Sequence, residues 1–113
     1  DRLAARLAAD DQRTLARSDV RALLARDLAE SVRQGVDGLL ADLRLAGRPW
    51  ALPLESVRVP VALWHGEDDR IVPVAATRRL AAAIPGARAN VLPGLGHFLI
   101  VDRWGEILDW LVQ

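Results

Sequence analysis

Residues 59–73 read VPVALWHGEDDRIVP, residues 90–97 read NVLPGLGH, and the segment between them carries a helical pattern. The first stretch holds an apolar run, Val61 to Trp64, and then a glycine and acid loop, Gly66 to Asp69. Pro73 opens a pattern in which Val74, Thr77, Leu80, Ala81 and Ile84 share one helical face, and Pro85-Gly86 stops it. A second apolar run, Ala89 to Leu92, leads to His97 behind Gly94 and Gly96. The spacing predicts a strand over 59–64, a helix over 73–84 and a strand over 89–92. In a parallel βαβ unit both strands point the same way, so the loops that follow them emerge on one edge of the sheet. Asp69 and His97 are therefore expected to meet across 28 residues of chain.

An imidazole that takes and returns a proton near neutral pH gains from a carboxylate at Nδ1. The carboxylate fixes the tautomer and stabilises the imidazolium formed during reaction. The residues Gly66, Asp69, Ile71, Val72 and Pro73, followed by Gly94, Gly96 and His97, resemble the C-terminal end of the α/β-hydrolase fold. In that family G-x-x-D-x-(I or V)-V-P follows the penultimate core strand and G-x-G-H follows the last. The resemblance implies an α/β fold and, for this chain, its C-terminal fragment: a helical lid, then β-α-β-α with parallel strands. It implies Asp69 as the catalytic acid, chosen over Asp68 by the family spacing of three residues after the glycine, and His97 as the general base. In the family the chain order is nucleophile, acid, histidine.

The first member of that order is not expected within these residues. There is no cysteine, and Ser18, Ser31 and Ser56 stand in no G-x-S-x-G turn. The chain has no methionine and starts inside a helical pattern at Asp1, so it reads as the C-terminal part of a longer protein whose N-terminal half is a required partner. The implied reaction is attack on an ester, amide or related bond of a small-molecule substrate, esterase- or lipase-like, with no cofactor. Two alternatives stay open: a dehalogenase-like member with an aspartate nucleophile, and a non-catalytic binding or structural module of the same shape. Alone, the chain is expected to be inactive and to self-associate through the 59–64 edge.

Composition narrows the partners. Fifteen arginines, no lysine and fifteen acids give formal net charge zero, which disfavours nucleic acid and anionic membrane. No apolar stretch approaches the ~20 residues of a membrane span, and a cytoplasmic location is the resulting expectation. His65 ends a strand and reads as a packing or hydrogen-bonding histidine, and a metal site joining it to His97 matches no metal motif.

Residues 1–47 are read as the lid (cap) segment. Leu3 and Leu7 lie one turn apart, Asp10-Asp11 mark a new helix start, and Ser18 is the expected N-cap of a long helix lined by Val20, Leu23, Leu24, Leu28 and Val32 to near Gly35. Val36, Leu39, Leu40 and Leu43 predict a further helix closing at Gly47. Residues 48–58, with Pro49 and Pro53, read as a linker in which Trp50 anchors lid to core, and 59–113 as the core part. Trp104, Ile107, Leu108 and Leu111 repeat at helical spacing for a final helix that Asp102 is placed to cap.

Overall fold

The structure, a computed structural model, describes residues 6–112. Three helices come first: α1 (Ala9–Ala16), α2 (Ser18–Ser31) and α3 (Asp37–Ala46). A 3₁₀ turn at Leu54–Ser56 breaks the proline-rich connection, and then β1 (Ala62–Gly66), α4 (Val74–Ala83), β2 (Arg88–Leu92) and α5 (Ile100–Leu111) complete the described chain. The expected β-α-β-α order is present, and the strands pair in parallel, with Ala62 opposite Arg88 and Gly66 opposite Leu92.

Successive strand residues face opposite sides of a sheet, and here each side has its own helix. His65 turns to α4, where the Thr77 hydroxyl meets its ring, and Trp64 turns to α5, where it meets Trp110 edge-on with ring centroids 5.7 Å apart. Covering both faces is what lets β1 carry apolar side chains, Leu63 and Trp64, on both of its sides. Pro73 stands at the N-cap of α4 rather than inside it, a shift of one residue that leaves its fixed φ at the helix entrance.

Four expectations are corrected. β1 begins at Ala62, not Val59, because Pro60 has no N–H to give a ladder and Val59 is exposed. Ser18 is the first residue of α2 and makes no side-chain cap; the preceding Arg17 holds that position and spans Asp19 (2.9 Å) and Asp102 (2.7 Å). Asp102 thus sits in the first turn of α5 as an ion-pair partner rather than as its cap. Trp50 does not anchor lid to core: it is 67% exposed, and its indole N–H donates back to Leu45 O at the end of α3. Leu3, and with it the helical reading of the first residues, lies outside the described residues.

Apolar burial is thin. Ala8, Val20, Ile84 and Leu99 are the buried hydrophobic residues among those described, whereas Leu43, Trp104 and Leu111 are more than half exposed. The radius of gyration, 16.0 Å, exceeds the roughly 13 Å of a compact domain this long.

Candidate active site

The loops after β1 and β2 are stitched together beyond the strands. Glu67 N–H donates to Leu92 O (3.0 Å) and Asp68 N–H to Leu95 O (3.0 Å), so the parallel ladder continues into the two functional loops. Close approach requires a glycine in each motif. A Cβ on Gly66 would collide with the backbone carbonyls of Leu95 and Gly96, and one on Gly96 would collide with the Asp11 carboxylate. Gly94 adds the turn itself, at φ +75°.

Asp69 is placed by its own local turn. Its Oδ1 accepts from the N–H of Ile71 (2.7 Å) and of Val72 (2.9 Å), the Asx-type bonding that short acid side chains favour in loops. This is the physical content of the two apolar residues that follow the acid: their amides hold one carboxylate oxygen, and the other is left for His97. Oδ2 lies 2.9 Å from His97 Nδ1. Burial opposes ionisation of Asp69, but the Val72 amide, the His97 ring and the Ile71 amide outweigh it and hold the carboxyl below its usual range. An ionised carboxylate only accepts, so His97 Nδ1 carries a proton and donates it, and in the neutral ring this leaves the lone pair on Nε2. The Asp69 side chain is 5% exposed and that of His97 36%, so the carboxylate is shielded while the ring is open to an approaching group.

The rival acid is elsewhere. Asp68 contributes its backbone to the loop contact with Leu95 and its residue is exposed. Glu67 lies 3.5 Å from Arg78. His65 behaves as a structural histidine: Nε2 donates to Val72 O (2.9 Å), and Nδ1 accepts from the Thr77 hydroxyl (2.7 Å). A carbonyl can only accept, so Nε2 carries a proton, and in the neutral ring Nδ1 accepts from the Thr77 hydroxyl. Nε2 also stands 3.5 Å from Asp69 Oδ2, so His65 flanks the carboxylate. Both of its nitrogens are engaged, and among the described residues no group of three or more His, Cys, Asp and Glu side chains is arranged to hold a metal ion. The serine hydroxyls that are bonded serve their own turns, Ser31 to Leu28 O and Ser56 to Pro53 O.

An open hollow of about 470 Å³ borders the pair, lined by Trp64, His65, Asp69, Val72, His97, Leu99, Ile100 and Ile107. It is mainly apolar, with the two histidines and the acid among its lining residues.

The model of the α/β hydrolase fold matches residues 1–103. The chain belongs to the α/β hydrolase fold family. Curated relatives carry different activities: a pimeloyl-(acyl-carrier protein) methyl ester esterase of Aromatoleum aromaticum is 42% identical over 53 residues, a non-heme haloperoxidase of Rhodococcus erythropolis 42% over 45, and a putative carbamate hydrolase RutD of a Caulobacter species 41% over 44. These matches cover 47%, 39% and 39% of this chain, and 21%, 16% and 16% of the relatives. The chain thus spans well under two thirds of the α/β hydrolases it matches. No helix among the described residues is long and apolar enough to cross a membrane.

The sequence reading missed one pair of residues that reaches this site. Asp10 and Asp11 do lie in the first turn of α1, as expected of acids there, but their carboxylates are turned to the histidine loop. The available signal was position: Ala8, Asp11 and Thr14 recur every three residues, and all three are buried, so the acid stands on the packed face of its helix.

Proposed function

We propose that this chain is the acid and histidine half of a hydrolytic triad in an α/β hydrolase that acts on an ester or related bond of a small molecule. One observation carries the reading: Asp69, with one oxygen occupied by two backbone amides, offers the other to His97 Nδ1 at 2.9 Å. That leaves His97 Nε2 as the general base for a nucleophile and then as the acid for the leaving group, while Asp69 stabilises the imidazolium between the two steps. The nucleophile and the oxyanion donors are supplied by a part of the protein outside these residues. Esterase and hydrolase names among the relatives support bond hydrolysis without choosing the substrate.

Residues 1–47 act in this reading as a lid, 48–58 as the connection and 59–113 as core. Support for the lid comes from α1, whose acids contact Gly96 and Phe98 on either side of His97. Replacing residues 1–47 by the corresponding segment of a relative changes substrate preference and keeps the Asp69–His97 contact; unchanged preference speaks for a plain helical bundle. The principal test compares the two histidines in the intact protein. His97→Ala removes nearly all ester turnover and His65→Ala retains most of it, whereas equal losses would refute the assignment.

A further inference from the structure

We infer that Asp11, assisted by Asp10, is a positioning residue for His97, holding the backbone of the histidine loop while Asp69 holds the ring. The two amides that flank the histidine go to adjacent carboxylates on a helix some 85 residues earlier. Gly96 N–H donates to Asp10 Oδ2 (3.2 Å), and Phe98 N–H donates to Asp11 Oδ1 (2.9 Å). These bonds differ in character. Asp10 shares its charge with Arg13, 2.9 Å away. Asp11 is fully buried, and its Oδ2 is the buried side-chain polar atom without a hydrogen-bond partner among the described residues.

A buried carboxylate with an oxygen unsatisfied carries a desolvation cost that an apolar residue would avoid. At this point that cost is offset by the loop it grips. Gly96 is the matching half of the device: the Asp11 carboxylate packs where a Cβ would stand, so a glycine directly before the histidine lets the acid reach the next amide. His97 is thereby fixed from two directions. Asp69 sets the tautomer and the ring plane, and Asp10 and Asp11 set where the Cα stands. The loop after β2 carries no other side-chain bond to its amides among the described residues, so removal of Asp11 leaves it held only by the Asp10 bond before the histidine, frees the Phe98 side and lengthens the Asp69–His97 contact. A displacement of about 1 Å at a general base costs on the order of a hundredfold in rate.

The structural claim is independent of the hydrolase reading, and only its kinetic consequence rests on it. The test therefore uses two readouts on the intact protein and its Asp11→Ala and Asp11→Asn variants. The first is NMR: the His97 Nδ1 proton signal and the exchange protection of the Gly96 and Phe98 amides. Both are expected in the native protein and largely kept in Asp11→Asn, whose amide oxygen still accepts from Phe98; in Asp11→Ala the Nδ1 signal and the Phe98 protection are lost, while the Gly96 amide, bonded to Asp10, is weakened less. The second is ester turnover. Asp11→Ala is expected to lower kcat about a hundredfold per folded molecule with KM within about threefold, and Asp11→Asn to recover most of the loss. If Asp11→Ala fails to fold, the native amide protection and the Asp11→Asn comparison still decide. An Asp11→Ala protein that keeps the Nδ1 proton signal, or native Gly96 and Phe98 amides that exchange as freely as open loop, would overturn the inference. Absence of turnover in the native protein with the NMR pattern intact would instead overturn the hydrolase reading and leave the clamp standing.

Discussion

Asp69→Asn isolates the electrostatic part of the site, because the substitution preserves shape and inverts one contact. Asparagine Oδ1 can still accept from the Ile71 and Val72 amides, which lie 2.7 and 2.9 Å away, so the local turn survives. The amide NH₂ then occupies the place of Oδ2 and presents a donor to His97 Nδ1 at 2.9 Å. The ring must answer with the opposite tautomer, a lone pair on Nδ1 and the proton on Nε2, and in that state it cannot accept a proton from a nucleophile. Exchange of a charge-assisted bond for a neutral one costs about 1–3 kcal/mol of stability. The catalytic loss is larger: wrong-tautomer aspartate-to-asparagine changes in such triads lower kcat about 10⁴-fold, or roughly 5.4 kcal/mol of transition-state stabilisation. The assay is steady-state ester hydrolysis by the intact protein, with circular dichroism as a control on folding. Turnover within tenfold of native in Asp69→Asn, or an equal loss in Asp68→Asn, would refute the assignment of the acid.

Four further outcomes are expected. The Asp69 pKa is lowered on folding, so its contribution to stability is complete above the unfolded value of about 3.9 and is lost as pH falls through the lower folded value; urea midpoints followed from about pH 5 to pH 2 should show an acid-side decline that Asp69→Asn lessens. Gly66→Ala drives a methyl group into the carbonyls of Leu95 and Gly96; parting the two loops should cost turnover at least tenfold and remove the His97 Nδ1 proton signal, and a variant with both intact would show that the loops are held elsewhere. Thr77→Val removes the hydroxyl bonded to His65 Nδ1 at 2.7 Å, which should lower stability by about 1–3 kcal/mol in denaturant titration while kcat stays within about threefold. The 113 residues alone should self-associate in light scattering through the Ala62–Gly66 edge and the exposed faces of Trp104 and Leu111, and should hydrolyse no ester until mixed with the remainder of the protein; a monomer active by itself would refute both expectations.

Much of this site was legible in the chain because its signals are local. An apolar run, a glycine and acid loop, a proline-opened helix and a second apolar run dictate strand, helix and strand, and parallel pairing then obliges the two following loops to share an edge. The resemblance pointed to Asp69 over Asp68 by the family spacing after Gly66, and in the structure it is Asp69 that has the Ile71 and Val72 amides on one oxygen and the His97 ring on the other. The hydrogen-bonding reading of His65 has its counterpart in the Thr77 hydroxyl on the helix packed beside β1. What local pattern could not carry was decided by approach in three dimensions. Trp50 reads as an anchor by size but stays exposed, because burial of a large ring depends on what stands opposite it and not on the ring. Asp10 and Asp11 read as ordinary helix-start acids, since the macrodipole accounts for acids there without further cause. Their bonds to Gly96 and Phe98 span more than eighty residues, and it is tertiary packing alone that turns two dipole-favoured carboxylates into a grip on the histidine loop.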